Sequence, residues 1–342
     1  MKAARIHQHG GSDVLAYEDA PEPKIQANQV LVRVRACALN HLDLFVRAGL
    51  PGLRLSMPHV LGSDIAGEIV EAGALCERVK PGWRVLLSPG MSCRQCEQCL
   101  SGNDNLCRRY TVFGYTADGG DCELLAAPEY TAIPIPNDLS FDEAAAAPLV
   151  FLTAWHMLMS RARLQPGEDV LVLGASGGVG SAAIQIARMF GCRVIATAGG
   201  EEKLAKARAL GATHVIDHYR QDLAAEVKQI TGKRGVDVVV EHVGTATWTR
   251  SLESLGPAAR LVTCGATTGY DARIDLRHLF FKQWSVLGSF MGTMGELHQV
   301  LKFVFRKQLR PVIDRVYPLA DIRAAHDRLE RREQFGKVIV RP

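Results

Sequence analysis

The sequence has no hydrophobic run that reaches the roughly 18 residues needed to cross a membrane. It also has no apolar segment between Met1 and Gly11, where a secretion signal would lie. An excess of one charge is missing too, because 40 Lys and Arg stand against 36 Asp and Glu and no basic stripe is visible. We therefore expect a cytoplasmic protein that acts on a small-molecule substrate and has neither a membrane nor a nucleic acid as a partner.

The nine cysteines are too few for a disulfide scaffold in a chain of 342 residues. Four of them are separated by only two, two and seven residues: Cys93, Cys96, Cys99 and Cys107. Four thiolates at such spacings can enclose a tetrahedral zinc ion and leave no coordination position open. An iron–sulfur cluster is the competing metal group, but the ferredoxin pattern continues with three residues and then Cys-Pro. We predict one structural zinc ion per subunit in a lobe spanning 93–107; the alternative is four free thiols on a surface loop.

Two kinds of hydrophobic pattern divide the chain. Before about residue 135, Gly and Pro recur often and apolar positions alternate at Val30, Val32 and Val34, which predicts short β-strands. From Asp169 onward, short apolar strands alternate with helices such as 201–210, and this order predicts a doubly wound parallel sheet. The candidate strands of that sheet are 169–173, 193–198, 214–217, 236–240, 260–263 and 284–287. A last strand at 337–341 is expected to rejoin the first domain.

A glycine-rich turn separates the strand at 169–173 from the helix that follows. Such a turn lets the backbone approach a pyrophosphate, whose charge then meets the N-terminus of the helix. We predict that the nucleotide is bound by Ser176, Gly177, Gly178, Val179 and Gly180. The next strand ends in Ala-Gly-Gly at 198–200, without the acidic residue that holds the ribose of NAD. Gly200 and Lys203 therefore favour NADP(H); the alternative is that Lys203 simply faces solvent.

Together these features resemble the medium-chain dehydrogenase/reductase superfamily over essentially the whole chain. The signature typical of quinone oxidoreductases is complete: Gly167-Glu168-x2-Leu171-x3-Ala175-Ser176-Gly177-Gly178-x-Gly180-x4-Gln185-x2-Arg188. The resemblance implies an α/β protein with a GroES-like, β-rich catalytic domain at 1–148 and 289–342 and a Rossmann dinucleotide-binding domain at 149–288. It also implies a homodimer paired through the Rossmann sheet. The four-cysteine lobe, by contrast, resembles the structural zinc site of zinc alcohol dehydrogenases.

The resemblance also bears on a catalytic metal. In zinc alcohol dehydrogenases the first ligand is the cysteine of a Cys-x-x-Asp stretch, and the matching stretch here begins with Asn40 and ends with Asp43. The second ligand is the histidine of Gly-His-Glu, which reads Gly-Ser-Asp at 62–64. Because a catalytic zinc needs three protein ligands and one open position, we do not expect one here. Asn40 and Asp43 are the candidate catalytic residues, with Asn40 beside the nicotinamide and the substrate.

Further cofactor contacts are implied by the same resemblance. Thr153 matches a position near the nicotinamide, and Gly265 and Ala266 match a loop that contacts the ribose. His218 or Tyr219 matches a tyrosine near the 2′-phosphate, with His218 in the usual place of that tyrosine.

Three functions follow from these observations. We expect NADPH-dependent reduction of a quinone or an enone, an activated C=C bond, by hydride transfer without a catalytic zinc. An alcohol dehydrogenase with an unconventional zinc site is the second, with ligands drawn from Cys37, His41, His59 and Asp64. The third is a protein that binds NADPH without catalysing a reaction.

Overall fold

The computed structural model describes the whole chain, Met1 to Pro342, and divides it into two compact units. The β-rich unit comprises Met1–Leu149 and Thr293–Pro342, and the parallel-sheet unit comprises Val150–Gly292. These boundaries lie one and four residues beyond those expected from the sequence at 148 and 288. No helix combines the length and the apolarity that crossing a bilayer would need.

Eighteen strands are numbered in chain order: β1 Lys2–Ile6, β2 Leu15–Asp19, β3 Gln29–Ala38, β4 His59–Val60, β5 Asp64–Ala72, β6 Arg84–Leu87, β7 Gly90–Met91, β8 Thr111–Val112, β9 Leu124–Pro128, β10 Ala132–Pro134, β11 Asp169–Val172, β12 Arg193–Ala198, β13 His214–Asp217, β14 Val236–Glu241, β15 Leu255–Thr263, β16 Ser285–Gly288, β17 Ile313–Pro318 and β18 Lys337–Arg341. The α-helices are α1 His41–Ala48, α2 Glu97–Leu100, α3 Phe141–Ala146, α4 Pro148–Trp155, α5 Gly178–Met189, α6 Glu201–Leu210, α7 Leu223–Ile230, α8 Trp248–Glu253, α9 Leu276–Phe281, α10 Met294–Phe305 and α11 Ile322–Glu330. Short 3-10 segments and one π-helical segment after α4, His156–Arg161, complete the chain.

The β-rich unit is built around a seven-stranded sheet with β3 near its centre. Its order is β10-β6-β5-β3-β18-β17, and β9 also pairs with β3. The alternation predicted for this strand is confirmed, because Val30, Val32 and Val34 are buried while Arg33 and Arg35 are exposed. As predicted, the C-terminal strand β18 joins this sheet and pairs antiparallel with β3. Two further sheets, β2-β1-β4 and β7-β8, belong to the same unit.

Strand register in this sheet brings distant parts of the sequence together. At the end of β3, Ala38 pairs with Asp64 of β5 on one side and with Ile339 of β18 on the other. Asn40 follows two residues later as the N-cap of α1, and Lys337 opens β18 two residues before Ile339. The sheet therefore places Asn40, Asp64 and Lys337 at one end of three neighbouring strands.

The parallel-sheet unit confirms the doubly wound sheet predicted from the sequence. Its six strands have the order β13-β12-β11-β14-β15-β16, and every neighbouring pair is parallel. The central strand β11 is buried along its whole length, as its continuous apolar sequence predicts. β16 forms one edge of the sheet, and its Ser285 and Val286 are exposed.

Candidate functional site

The turn between β11 and α5 is the first part of the candidate site. α5 begins at Gly178 with Gly177 as its N-cap, so the turn and the first helical residues contain the predicted nucleotide-binding segment Ser176 to Gly180. A Cβ atom at Gly180 would lie 2.3 Å from the carbonyl oxygen of Gly174, which leaves room only for a hydrogen. The first backbone N–H groups of this twelve-residue helix provide the donors and the dipole that suit a pyrophosphate.

This turn lies where the strand order of the sheet reverses. β11 lies between β12 and β14, and the carboxyl ends of β11 and β14 flank the crevice in which open α/β sheets bind ligands. His242, directly after β14, donates its Nε2–H to the carbonyl oxygen of Leu173 at 2.9 Å. Burial lowers the pKa of His242, so the ring is a neutral structural link between the two strand ends.

A buried carboxylate organises the loop that follows β14. Glu241 is fully buried and accepts the N–H groups of Val243 at 2.6 Å and Gly244 at 3.1 Å. It also accepts the hydroxyl groups of Thr247 at 2.9 Å and Ser251 at 2.6 Å. Sequence reasoning missed this residue because it ended the strand at Val240. An acidic side chain at the end of an apolar strand, followed by Gly and Thr, was the available signal.

The carboxyl end of β12 carries no acidic side chain, as the sequence indicates. Gly199 and Gly200 follow the strand, and a Cβ atom at Gly199 would lie 2.2 Å from the ring of Tyr219. The rings of His218 and Tyr219 meet edge to face with centroids 4.4 Å apart. The structure thus places Tyr219 directly against the tip of β12 and His218 next to it. Which of the two faces the cofactor stays a prediction.

The remaining nucleotide candidates lie on three elements of the same unit. Lys203 is half-buried in the first turn of α6, whose two glutamates pair with Lys206 and Arg208. Gly265 and Ala266 follow β15 and are half-buried. Thr153 is buried on α4.

A buried polar cluster in the β-rich unit contains the predicted residue Asn40. The Nδ2 group of Asn40 donates to Asp64 Oδ2 at 3.0 Å and to the carbonyl oxygen of Ala38 at 3.3 Å. Lys337 Nζ donates to Asn40 Oδ1 at 2.5 Å and to Asp64 Oδ2 at 2.9 Å. The other oxygen of Asp64 accepts the N–H of Leu149 at 2.8 Å. Every polar atom of the Asn40 and Asp64 side chains therefore has a partner within the protein.

Asp43 and Asp121 are fully buried carboxyl groups near this cluster. Burial raises the pKa of Asp43 to about 6, although the N–H groups of Asn40 and Gly62 donate to it at 2.6 and 3.1 Å. Burial and the charge of Asp43 raise the pKa of Asp121 to about 8. Asp43 therefore braces the start of α1 against Gly62, whereas Asp121 retains a proton at neutral pH.

The residues considered for an unconventional catalytic zinc do not converge: Cys37, His41, His59 and Asp64. The Asp64 carboxylate is already paired with Lys337, and His59 Nε2 lies 3.3 Å from the carbonyl oxygen of Gly114. Ser63, which stands in the place of the second zinc ligand, is fully buried and its hydroxyl has no hydrogen-bond partner. No three ligand-type side chains of this region bring their donor atoms together. This donor set does not fit a catalytic zinc ion.

The four cysteines of the 93–107 lobe do converge. Their sulfur atoms lie within 4.8 Å of one another, with 3.5 Å between Cys96 and Cys99 and 3.8 Å between Cys96 and Cys107. A tetrahedron of sulfurs at Zn–S distances of about 2.3 Å has edges of about 3.8 Å. The N–H groups of Cys93 and Arg109 also point at the Cys107 sulfur, at 3.5 and 3.3 Å. This arrangement fits a closed, structural zinc site.

Comparisons with known proteins match both units. A family model described as "Zinc-binding dehydrogenase" matches residues 178–306, and one described as "Alcohol dehydrogenase GroES-like domain" matches residues 26–137. The chain is 32% identical to the NAD-dependent alcohol dehydrogenase of Sulfolobus acidocaldarius, in an alignment that covers 100% of this chain and 99% of that protein. It is also 32% identical to the quinone oxidoreductase of Rattus norvegicus, over 99% of this chain and 97% of that protein. A crystal structure of an NAD-dependent alcohol dehydrogenase superposes with a TM-score of 0.97 at 43% identity, with 100% of both chains covered.

These full-length similarities confirm the family and the α/β fold with its GroES-like and Rossmann sheets. The hypothesis of a binding protein without catalytic activity is wrong, because the similar proteins named above are dehydrogenases and an oxidoreductase. The chain belongs to the medium-chain dehydrogenase/reductase superfamily and is an oxidoreductase.

Proposed function

We propose that the protein reduces a quinone or an enone with NADPH and without a catalytic metal. The observation that carries the proposal is a nucleotide-binding turn combined with an altered metal position. Asn40 and Ser63 stand where zinc alcohol dehydrogenases have zinc ligands, and the carboxylate of Asp64 is paired with Lys337. Amide and hydroxyl groups cannot replace a thiolate and an imidazole as zinc ligands, so the substrate itself must accept the electrons. Quinones and enones have this capacity.

The proposed reaction balances without a further redox partner. NADPH supplies a hydride, which adds to a quinone or to the β-carbon of an enone while the displaced electron pair moves to the substrate oxygen. Water supplies the proton that completes the hydroquinone or the saturated ketone. We assign to Asn40 the stabilisation of that oxygen, since an amide N–H is a suitable donor to developing negative charge. Asp43 is assigned the task of holding the start of α1, and thereby Asn40, in place.

The proposed NADPH site uses the predicted residues of the parallel-sheet unit. Backbone N–H groups from Ser176 to Gly180 hold the pyrophosphate, and Gly265 and Ala266 contact the ribose. Gly200, Lys203 and His218 surround the 2′-phosphate, a role favoured by the uncharged end of β12. Thr153 contacts the nicotinamide.

The proposed structural zinc is bound once per chain by Cys93, Cys96, Cys99 and Cys107. None of the nine cysteines forms a disulfide bond in the structure. Because closely spaced thiols persist in a reducing compartment, we assign the protein to the cytoplasm.

We also propose a homodimer formed through the edge of the parallel sheet. Val286 on the edge strand β16 is exposed, and so are Phe280 and Phe281 at the end of α9. An unpaired strand edge beside large exposed apolar side chains is a surface that proteins normally cover.

An alcohol dehydrogenase is the second candidate function. It is favoured by the names of two similar proteins, the enzyme of Sulfolobus acidocaldarius and the crystal structure at 43% identity. Such an activity would need a second metal ion that the residues around Asp64 do not accommodate.

The test combines metal analysis with steady-state kinetics on protein purified without chelator. We expect one zinc per chain and oxidation of NADPH by an ortho-quinone or an α,β-unsaturated ketone, unchanged after brief exposure to a chelator. Because Lys203 is assigned to the 2′-phosphate, Lys203→Met should lower kcat/KM for NADPH by about tenfold and leave that for NADH unchanged. Lys206→Met, one turn further along α6, is the matched control.

Each of two results would contradict one part of the proposal. Two zinc ions per chain together with chelator-sensitive oxidation of alcohols would establish the second candidate function. Equal loss of NADPH and NADH activity in Lys203→Met would remove Lys203 from the 2′-phosphate site and leave the quinone or enone reduction standing.

A further inference from the structure

Lys337 is a buried cation at the start of β18. Its side chain is only 4% exposed, and lysine is seldom buried so deeply unless it is paired. It reaches Asn40 and Asp64 because β3 lies between β18 and β5 in the sheet. Lys337 is 273 residues from Asp64 and 297 residues from Asn40 in sequence, and it meets them only through strand register.

The two charged partners fix which way the amide of Asn40 faces. An ammonium group can only donate hydrogen bonds and a carboxylate can only accept them. The amide oxygen must therefore point to Lys337, and the amide nitrogen must point to Asp64, as the structure shows. A flip of the amide would place oxygen against carboxylate and N–H against ammonium.

The same arrangement holds one amide hydrogen of Asn40 more weakly than the other. Of the two N–H groups of Asn40, one donates to Asp64 at 3.0 Å and the other makes a longer contact of 3.3 Å with the carbonyl oxygen of Ala38. The positive charge of Lys337, whose Nζ donates to the amide oxygen, polarises the amide group and makes each N–H a stronger donor. The weakly held N–H can then be given to an oxygen that carries more charge than a backbone carbonyl.

We propose that Lys337 is the positioning residue for Asn40 in the reduction. It sets the amide so that an N–H, and not the carbonyl oxygen, faces the substrate oxygen as that oxygen becomes negative. Lys337 acts through Asn40 and is not assigned a contact with substrate. This inference rests on the proposed quinone or enone reduction. It adds that Lys337 supplies a fixed positive charge next to the amide oxygen of Asn40.

A double-mutant cycle in kcat tests the inference. Removal of one preorganised donor costs about 100-fold in kcat, so Asn40→Ala and Lys337→Met should each show a loss of about that size. Because both changes disable the same donor, the double variant should lose no more than the worse single variant. Affinity for NADPH, measured by fluorescence titration, should stay unchanged. Lys337→Arg retains the cation and should recover part of kcat.

Arg341→Met is the matched control, since Arg341 is a cation on the same strand that pairs with Asp142. It should leave kcat unchanged. Losses that multiply in the double variant overturn the role of Lys337 while the reduction itself stands. A wild-type protein without activity toward any quinone or enone overturns both. If Lys337→Met does not fold, Asn40→Ala decides alone, because a normal kcat in that variant contradicts the inference.

Discussion

Asp121 is a fully buried carboxyl group of the β-rich unit, and the thiol of Cys37 is a weak hydrogen-bond donor beside it. No N–H or hydroxyl group donates to either of its oxygens, and burial and the charge of Asp43 raise its pKa to about 8. An aspartate in the unfolded chain titrates at about pH 4. Between that pH and the pKa of about 8, the folded chain therefore holds one more proton than the unfolded chain. The stabilisation from this proton is complete below about pH 4 and is lost as the pH rises through 8.

We therefore expect Asp121→Asn to flatten the pH dependence of stability. The free energy of unfolding of the wild type should fall from pH 5 to 8, and the variant should exceed it at pH 8 by about 1–3 kcal/mol. Urea unfolding at four pH values measures both slopes. Asp118→Asn serves as the control, since hydrogen bonds from His59 and Val60 hold the pKa of the exposed Asp118 below its usual value. Parallel slopes for wild type and Asp121→Asn would contradict the expectation.

At the scale of the element, the glycine-rich turn offers the sharpest prediction. Replacing an exposed glycine inside a helix by alanine usually raises the free energy of unfolding by about 1 kcal/mol. Gly180→Ala should instead cost about 1–3 kcal/mol, because its Cβ atom would meet the carbonyl oxygen of Gly174 at 2.3 Å. The dissociation constant for NADPH should rise at least about tenfold as the turn is pushed open.

The matched control for this change lies in another helix of the same length. Gly295 is in the first turn of α10. A Cβ atom added there would lie 3.7 Å from its nearest neighbour, the hydroxyl oxygen of Thr293. Gly295→Ala should leave NADPH binding unchanged. Thermal unfolding and fluorescence titration compare the two variants, and equal behaviour would show that the contact with Gly174 has no consequence.

Elements differ in how far the sequence alone specifies them. β12, β13 and α6 match their predicted bounds because short apolar runs and flanking glycines mark their ends locally. β15 begins five residues before its predicted start at 260, since Pro257 and the positive φ of Ala258 interrupt the strand pattern. The strand continues through this irregularity because its pairing with β14 resumes after a register shift.

The candidate site shows the same division between local and distant signals. The glycine-rich turn and the four cysteines are contiguous motifs, so spacing was sufficient to predict them. Lys337 reads in the sequence only as the first residue of a strand. Its contacts depend on the register of β18 against β3 and of β3 against β5, which no local pattern encodes.

At the scale of the whole molecule, the edge strand β16 determines the expected assembly. Pairing of two such edges would extend the parallel sheet across both copies and cover Phe280 and Phe281 as well as Val286. Light scattering should then give a mass of twice the 37.3 kDa of one chain.

Val286→Lys places a charge on the paired edge and should raise the dimer dissociation constant at least about tenfold. Val316→Lys is the matched control, because Val316 is 37% exposed on β17, an edge strand of the other sheet, against 39% for Val286. A dimer that both substitutions weaken equally, or a wild type that stays monomeric at high concentration, would place the interface elsewhere or remove it.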